Sequence, residues 1–500
     1  MDTTIEKNIG EVKDIDTKYN VTNWINGCYS VSEGSDKIAI KNPKTDEVIS
    51  SLTFSTTNEL DIAVNSAKKA QEKWSQLTHK SRVQVIFKYR SLLENNFREL
   101  SALCAEENGK TIPEAEAEIS KAIELCELAI SIPQTINDRR QVISRGIECK
   151  EQKYPVGVVA SIVPLNFPVM VPHWTIPMVL VLGNALILKP SEQVPLSCLK
   201  IAELMQRAGL PDGLLSIING GKEIVESICD HSDIDAITFV GSSAVAKLVY
   251  ERSARSGKRC IALGGAKNNL LLLPDADPEM ASTDIVASFT GCAGQRCMAA
   301  SLLIAVGDVD HIINKVIEKS RLIQAGENLG ALITNDAKLR IVNYINQAEI
   351  SSCNIVLDGR NIIVNGGEKG YFLNPTIIDN ATLDQPWSRD EIFGPVLTII
   401  RVNSIDEAIE LQNTSIYGNG ASVYTQDGEA ADYVINRLTA GMCGINIGVP
   451  VPREPFGFGG WKASKYGVSD ITGQQSIDFF TKTKKITTKW NSKYKKDWMS

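Results

Sequence analysis

The 500-residue sequence lacks an uninterrupted apolar segment long enough to cross a bilayer. Its longest apolar stretch, residues 158–189, is broken by four prolines and contains Asn166, His173 and Asn184, polar residues that a membrane span avoids. The first 20 residues form neither the apolar core of a secretory signal nor the arginine-rich face of a transit peptide. We therefore expect a cytoplasmic protein without a membrane partner.

A strongly basic composition, metal-ligand spacing and a disulfide pattern are also missing. The net charge of −7 argues against a surface that binds nucleic-acid phosphates. The four histidines are scattered without ligand spacing, so no metal site is predicted. The 11 cysteines follow no regular spacing, which indicates a reducing compartment where thiols stay free.

What is present is an alternation of helical and strand-like segments, the pattern of a doubly wound α/β sheet. Residues 59–107 have the spacing of two amphipathic helices. Four β-rich segments follow, each ending in Pro or Gly and separated from the next by room for a helix, and they predict a parallel sheet. They are residues 157–164, 184–190, 214–220 and 236–241. A second unit begins near Leu263, so we place a domain junction at about 260–265.

No G-x-G-x-x-G motif follows a predicted strand, so a nucleotide would have to be bound in another way. Two candidates lie at the carboxyl ends of predicted strands, KPSE at 189–192 and FVGSS at 239–243. Lys189 and Glu192 could hydrogen-bond the adenosine-ribose hydroxyls, and the carboxylate would repel a 2′-phosphate. Ser242 opens a helix whose N-terminal N–H groups favour a pyrophosphate. KPSE alone is equally compatible with a proline turn before a Ser-capped helix.

Residues 292–301, CAGQRCMAAS, contain two cysteines at a spacing that fits neither a disulfide hairpin nor a zinc knuckle. A single reactive thiol is the hypothesis that remains. Of the two, Cys292 is interpreted as a buried spectator.

The order and spacing of several motifs resemble those of NAD(P)-dependent aldehyde dehydrogenases over about residues 20–490. The motifs are PLNFP (164–168), KPSE, FVGSS, LGGAKN (263–268), GQRC (294–297), EIFGP (391–395) and EPFGFGGWKASKYG (454–467). The resemblance implies an α/β aldehyde dehydrogenase fold, with a Rossmann-like parallel-sheet NAD-binding domain, an α/β catalytic domain and a small oligomerisation segment. It places the NAD-binding domain at 1–140 and 157–262, the catalytic domain at 263–455, and oligomerisation segments at 141–156 and 478–500.

The same resemblance implies that Cys297 is the catalytic nucleophile. It also implies that the Asn166 amide and the Cys297 backbone N–H form an oxyanion hole. A thiolate adds to an aldehyde to give a hemithioacetal oxyanion, two donors stabilise that charge, and hydride leaves for NAD to yield a thioester. Glu391 would hold the nicotinamide ribose. The implied cofactor-binding residues are Val163, Leu165, Lys189, Glu192, Gln193, Ser242, Gly264, Glu391 and Phe393.

One position departs from the hydrolytic members of the family. Where they read Glu-Leu-Gly-Gly-Lys, this chain reads LGGAK, and matching the lysine to Lys267 puts Leu263 at the position of the water-activating glutamate. A general base is typically worth ~10²–10⁴-fold, so hydrolysis of the thioester should be slow. Coenzyme A, whose thiolate is a strong nucleophile, could accept the acyl group instead.

This departure, the GQRCMA segment and the sequence of residues 475–490 are similar to the methylmalonate-semialdehyde dehydrogenase branch of the family. That resemblance implies NAD as cofactor and CoA as cosubstrate. It implies oxidation of methylmalonate or malonate semialdehyde to propionyl-CoA or acetyl-CoA with loss of CO₂.

Two cations are candidates for binding the substrate carboxylate. Arg296 could form a bidentate pair with it, or could instead make a structural ion pair. Lys121 falls where that branch carries a second arginine, or it could be merely solvated. A lysine offers a point charge rather than a planar fork, so a different anionic aldehyde, such as a sulfonated one, is plausible.

Two other function classes are open at this stage. The first is a hydrolytic NAD-dependent aldehyde dehydrogenase that acts on another anionic aldehyde. The second is a non-catalytic protein that retains the fold, against which the intact Cys297, Asn166 and Glu391 argue. The family resemblance also implies a homo-oligomer, a dimer or tetramer, in which the edge strand near ITTKW is paired across subunits.

Overall fold

The computed structural model describes residues 17–136 and 138–490, so residues 491–500 of the predicted oligomerisation segment and residues 1–16 lie outside it. In chain order the strands are β1 (Asn23–Ile25), β2 (Cys28–Ser30), β3 (Lys37–Lys41), β4 (Val48–Thr53), β5 (Arg140–Ser144), β6 (Ile147–Pro155), β7 (Val158–Ile162), β8 (Ala185–Lys189), β9 (Leu215–Ile217), β10 (Ala236–Val240), β11 (Arg259–Leu263), β12 (Asn268–Leu272), β13 (Ala300–Val306), β14 (Asn354–Leu357), β15 (Thr376–Asp379), β16 (Val396–Val402), β17 (Tyr417–Gly418), β18 (Gly420–Tyr424), β19 (Met442–Ile445), β20 (Trp461–Lys462), β21 (Lys465–Tyr466) and β22 (Thr481–Lys489).

The helices are α1 (Thr57–Trp74), α2 (His79–Asn95), α3 (Phe97–Asn108), α4 (Ile112–Ile130), α5 (Ile132–Thr135), α6 (Met170–Val181), α7 (Leu196–Arg207), α8 (Lys222–Asp230), α9 (Ser243–Arg255), α10 (Pro278–Thr290), α11 (Asp310–Ser320), α12 (Asn335–Glu349), α13 (Pro386–Arg389), α14 (Ile405–Thr414), α15 (Gly428–Ile435) and α16 (Gly473–Phe479). A 3-10 turn, Gly291–Gly294, follows α10. In the part of the chain that the structure describes, no helix is long and apolar enough to span a membrane.

The first sheet has the strand order β2-β1-β9-β8-β7-β10-β11-β21. Five neighbouring strands of this sheet are parallel, in the order β9-β8-β7-β10-β11. Every residue of β7 and β8 is buried. Continuous burial is expected when helices cover both faces of a parallel sheet. The KPSE and FVGSS motifs lie at the carboxyl ends of β8 and β10, the edge at which such sheets bind ligands.

The second sheet, in the order β14-β15-β16-β13-β12-β18-β19, is parallel except for the antiparallel pair of β14 and β15. The chain passes from the first sheet to the second between β11 and β12. The connection, residues 264–267, therefore lies at the carboxyl edge of the first sheet and leads directly into the second.

Residues 59–107 contain three helices rather than the two that the spacing predicted. Asn96 separates α2 from α3, and its side-chain Nδ2 donates to the Leu92 carbonyl at 2.7 Å. Asparagine side chains compete in this way with backbone hydrogen bonds, so the apolar periodicity continues across a break that it does not reveal.

A third sheet has the order β22-β6-β5, and its strands pair with no strand of the first two sheets. All nine residues of β22 pair antiparallel with β6. The outer strand β5 is exposed along its whole length and carries Val142 and Ile143, which are 74% and 61% exposed. An exposed apolar edge of this kind is a surface that proteins usually cover.

Candidate active site

A cavity of about 460 Å³ lies between the carboxyl edge of the first sheet and loops of the second. Seven of the residues predicted for the site line it together. They are Leu165, Asn166, Ser242, Gly264, Cys297, Glu391 and Phe393. The structure thus brings together, around one cavity, a thiol, an amide and a carboxylate from distant parts of the chain.

The thiol of Cys297 follows a tight turn at the end of α10. In this turn Cys292 and Ala293 both have a φ of 53°, an uncommon conformation for residues other than glycine. Gly294 also has a positive φ, and a Cβ at this position would lie 2.1 Å from the Gly394 carbonyl oxygen. Only glycine allows the turn before Cys297 to pack this closely on the EIFGP segment.

Two asparagines hold the backbone carbonyl of Cys297. Nδ2 of Asn268 donates to it at 2.7 Å and Nδ2 of Asn419 at 2.9 Å. The Asn268 side-chain oxygen accepts from the Gly420 N–H at 2.9 Å, which fixes the amide orientation. Sequence reasoning gave neither asparagine a role. Asn268 lies within the LGGAKN motif and could have been found there, whereas Asn419 lies in no motif that was recognised.

Asn166 is directed towards the loop that carries Cys297. Its Nδ2 donates to the Gln295 carbonyl at 2.9 Å, and the Gln295 side-chain oxygen accepts from the Ile333 N–H at 3.0 Å. A carboxamide nitrogen carries two hydrogens, so the second remains available to a ligand in the cavity. The arrangement suits the predicted oxyanion donor, which is hydrogen-bonded to the loop that carries Cys297.

The Cys297 thiol is half-buried, and burial raises its pKa to about 12, with a further contribution from the charge of Glu391. Burial likewise raises the pKa of Glu391 to about 7. The Ala266 N–H, which donates to Glu391 at 3.0 Å, and the charge of Lys267 oppose this rise. A carboxyl with a pKa near neutrality can exchange a proton with other groups in the cavity.

Lys267, the lysine of the LGGAK segment, is buried, and its charge interacts with that of Glu391. Its Nζ donates to the Trp387 carbonyl at 2.7 Å. Burial lowers the pKa of Lys267 to about 7, against the charges of Asp390 and Glu391. The lysine therefore contributes a backbone contact that fixes the segment before Glu391.

A second cavity of about 540 Å³ lies beside α9 and is lined by Lys189 and Glu192. Their side chains pair at 3.1 Å. Burial would raise the pKa of Glu192, but the Lys189 ammonium and hydrogen bonds outweigh it and hold that pKa below its usual value. The ionised carboxylate suits two free ribose hydroxyls and disfavours a 2′-phosphate.

The start of α9 lies between these two cavities. Ser242 is its N-cap and makes no side-chain capping bond, so the first N–H groups of the helix have no partner from this side chain. Such groups, together with the helix dipole, favour a diphosphate. With Lys189 and Glu192 on one side and Glu391 on the other, the two cavities fit a dinucleotide.

Four predicted residues line neither cavity. The Val163 N–H donates to the Lys189 carbonyl at 3.0 Å, and the Gln193 N–H donates to the Ser191 hydroxyl at 3.4 Å. Both therefore shape the ends of β7 and β8 through their backbone. Arg296 and Lys121, the predicted substrate cations, have other partners.

The Nη2 of Arg296 donates to the carbonyls of Ala287 and Ser288 at 2.6 and 2.8 Å, in the last turn of α10. A cation is favourable at a helix C-terminus. Its Nε is buried and has no hydrogen-bond partner among residues 17–136 and 138–490. Lys121 pairs with Glu124 at 2.9 Å and with Glu454 at 2.5 Å.

Comparison with known proteins identifies the chain. The model of the aldehyde dehydrogenase family matches residues 30–486. The chain belongs to the aldehyde dehydrogenase family. This confirms the resemblance that the motifs indicated and, with it, the predicted α/β aldehyde dehydrogenase fold.

Relatives of this aldehyde dehydrogenase share most of its length. Malonate-semialdehyde dehydrogenase 1 of Geobacillus thermodenitrificans is 42% identical over 94% of this chain and 98% of its own. Malonate-semialdehyde dehydrogenase of Halalkalibacterium halodurans is 40% identical over 95% and 99%. The crystal structure of methylmalonate-semialdehyde dehydrogenase from Oceanimonas doudoroffii is 38% identical, covers 95% of this chain and 99% of its own, and gives a TM-score of 0.93.

A protein from Sinorhizobium meliloti, described as a methylmalonate-semialdehyde dehydrogenase and solved in complex with NAD, is 37% identical. The match covers 96% of this chain and all of the other, with a TM-score of 0.94.

The aldehyde dehydrogenase site has no carboxylate at the end of β11. Leu263 is 4% exposed, and Ala262 before it is fully buried. Among the described residues that line the Cys297 cavity, Glu391 is the only carboxylate. The lining also contains a cation that sequence reasoning missed, Arg340 on α12, whose charge opposes the rise in the pKa of Glu391.

Proposed function

We propose that this aldehyde dehydrogenase is an NAD-dependent, CoA-acylating enzyme for small anionic semialdehydes. Malonate and methylmalonate semialdehyde are the proposed substrates, with acetyl-CoA and propionyl-CoA plus CO₂ as products. The names of the relatives support this substrate class. The NAD complex of the Sinorhizobium protein supports the cofactor.

The observation that carries the acyl transfer to CoA is the apolar end of β11. Leu263 lies beside Gly264 and Gly265, which line the cavity, and neither it nor Ala262 can deprotonate water. A water molecule needs that help, whereas the thiol of CoA ionises within a few pH units of neutrality. The acyl group is therefore expected to stay on Cys297 until a thiol attacks it.

The residues of the chain would act in the following order. The Sγ of Cys297 bonds to the aldehyde carbon, and its proton is released to solvent. The Asn166 amide and the Cys297 N–H donate to the aldehyde oxygen as it becomes negative. NAD, when bound, supplies the hydride acceptor. The bond between the α-carbon and the carboxylate of the thioester then breaks, CO₂ leaves, and the α-carbon takes up a proton. The CoA thiolate attacks the carbonyl carbon of the remaining acyl group, and the Sγ of Cys297 leaves as the thiolate.

Residues around the two cavities would hold NAD. Glu192 and Lys189 suit the adenosine ribose, Ser242 and the N–H groups of α9 suit the diphosphate, and Glu391 suits the nicotinamide ribose. Three of the remaining proposed cofactor-binding residues line the Cys297 cavity, and they are Leu165, Gly264 and Phe393. The other two, Val163 and Gln193, would act through the backbone bonds that shape the ends of β7 and β8.

The substrate class is tested by a panel of aldehydes. Malonate, methylmalonate, succinate and sulfonated semialdehydes, with propanal as the neutral control, would be assayed for NADH with NAD and CoA. The products would be identified by mass. We expect the highest kcat/KM with the first two and expect acetyl-CoA and propionyl-CoA as products. A higher kcat/KM for propanal or for the sulfonated aldehyde would contradict the proposed substrate.

We further propose that Arg296 binds the substrate carboxylate through its buried Nε, which has no hydrogen-bond partner among the residues that the structure describes. Replacing Arg296 with Leu is expected to lower kcat/KM for malonate semialdehyde about 10- to 100-fold relative to propanal, because hydrogen bonds to charged groups are worth about 1.5–3 kcal/mol. Arg296→Lys keeps the charge without the fork and should recover only part of the loss. Lys121→Leu should have the smaller effect, since Lys121 is already paired with two carboxylates. An unchanged preference in Arg296→Leu would remove this residue from the substrate site.

We also propose a cytoplasmic homo-oligomer, a dimer or tetramer, assembled through residues 141–156 and 478–500. The exposed Val142 and Ile143 on the edge strand β5 support such an interface, because pairing would cover them. All 11 cysteines are free, which is consistent with a reducing compartment.

A further inference from the structure

The loop that carries Asn166 has little backbone structure of its own. Residues 163–169 lie between β7 and α6, and two of them are prolines, which have no N–H. Side chains from another part of the chain bind the polar backbone groups of this loop. Nδ2 of Asn108 donates to the Leu165 carbonyl at 2.8 Å, and Nζ of Lys110 donates to the Asn166 carbonyl at 3.0 Å.

Glu118, on α4, binds the other end of the same loop. Its Oε1 accepts from the N–H groups of Val169 and Met170 at 2.7 and 2.8 Å. Its Oε2 pairs with Lys110. One ion pair therefore connects the carbonyl of Asn166 to the first turn of α6.

The pair is deeply buried and has further contacts. The side chains of Lys110 and Glu118 are 1% and 0% exposed. The Lys110 Nζ also lies 4.6 Å from the centroid of the Phe167 ring, which follows Asn166. A buried ion pair costs desolvation energy and is favourable only where its geometry and additional hydrogen bonds compensate. The hydrogen bonds that compensate here are those to the Asn166 loop.

The same helix also reaches the turn before Cys297. Oε1 of Glu114 accepts from the Cys292 N–H at 2.5 Å, and its Oε2 accepts from the Thr111 N–H at 2.9 Å in the capping box of α4. The positive-φ turn before Cys297 is thus fixed to the start of α4. Side chains of α4 therefore hold both the loop that carries Asn166 and the turn that precedes Cys297.

We propose that Lys110 and Glu118 are positioning residues, which hold the Asn166 amide where it meets the developing oxyanion. The pair acts through Asn166 and so rests on the proposed function. Without this ion pair, the carbonyl of Asn166 loses its buried donor. The loop can then turn the Asn166 amide away from the developing oxyanion. Binding of NAD and reactivity of the Cys297 thiol do not depend on that alignment.

The test compares the rate constant of the first NADH burst in wild-type enzyme, Lys110→Met and Asn166→Ala, and in the double variant. Lys110→Met is expected to slow the burst about 10- to 100-fold, a part of the ~10²–10³-fold that loss of an oxyanion donor costs. The double variant should be no slower than Asn166→Ala, because the amide that Lys110 positions is already absent from Asn166→Ala. Alkylation of Cys297 by iodoacetamide and the Kd of NAD should change less than about threefold.

A matched control removes another cation that pairs with α4. Arg90, on α2, pairs with Glu127 at 2.7 Å, about 13 Å along the helix from Glu118. Arg90→Met should leave the burst unchanged. If Lys110→Met does not fold, Glu118→Gln gives the same measurement, with circular dichroism as the check on folding.

Additive slowing in the double variant would overturn the positioning role, as would equal slowing of alkylation and burst in Lys110→Met. An unchanged burst in Lys110→Met, with a slow one in Asn166→Ala, would overturn this inference alone. An unchanged burst in Asn166→Ala would instead overturn the proposed oxyanion role of that residue.

Discussion

Replacing Cys297 with Ala is expected to abolish the pre-steady-state burst of NADH and to lower kcat by at least about 10⁴-fold, the order of loss seen when a catalytic nucleophile is removed. Without the sulfur no tetrahedral adduct forms, and an aldehyde carbon cannot release hydride readily until such an adduct exists. Stopped-flow absorbance with NAD and malonate semialdehyde would measure the burst. Fluorescence titration with NAD would show that the cofactor cavity remains intact.

The matched control is Cys292→Ala. The Cys292 side chain is not among the residues that line the cavity, and its turn is held through the backbone N–H. This variant should retain a full burst. Acyl-enzyme trapped by acid quench in the wild type should map to the peptide that contains Cys297. A burst that persists in Cys297→Ala, or an acyl group found on Cys292, would disprove the nucleophile assignment.

Turnover is expected to depend on CoA by a comparable factor. With CoA at saturation, steady-state NADH formation should exceed the rate without it by ~10²–10⁴-fold, the contribution that a general base would have made to hydrolysis. Without CoA, one NADH per active site should appear in the burst and little thereafter. The measurement requires only absorbance at the NADH band and an independent count of active sites by Cys297 alkylation.

Leu263→Glu tests the physical reason for that dependence. A carboxylate at the end of β11 should recover part of the missing base catalysis and raise the rate without CoA. A glutamine has the length of a glutamate but no basic group, so Leu263→Gln should not raise the rate without CoA. Both variants place a polar group in a buried site and should lose stability to a similar extent. Equal wild-type turnover with and without CoA would contradict acyl transfer and would favour a hydrolytic enzyme that uses Glu391 as its base.

Much of the fold was predictable because the first sheet is regular. Its parallel strands are short apolar segments ending in Pro or Gly, and a parallel sheet places all its carboxyl ends at one edge. The sequence alone therefore places KPSE and FVGSS at that edge. Asn166, Cys297 and Glu391 were found through motifs, and the structure brings all three to one cavity.

Other features depend on contacts between distant residues and have no local signal. Asn419 meets the Cys297 carbonyl across 122 positions, and Glu118 meets Val169 across 51. The direction of Arg296 is equally nonlocal, since its partners are the carbonyls at the end of α10. The missed boundary at Asn96 is of a different kind. There, the side chain of Asn96 separates α2 from α3, although the apolar positions of the two helices follow one continuous helical spacing.

The contact between Gly294 and the Gly394 carbonyl has a consequence for how this enzyme can vary. A Cβ at Gly294 would lie 2.1 Å from the Gly394 carbonyl oxygen, so the segments that carry Cys297 and Glu391 pack directly against each other and are not expected to move separately. We expect a substitution that shifts this contact to change the proposed acyl chemistry and the binding of the cofactor together. New substrate preferences are therefore expected to arise on the opposite side, where Phe167, Val171 and Trp174 face the same space.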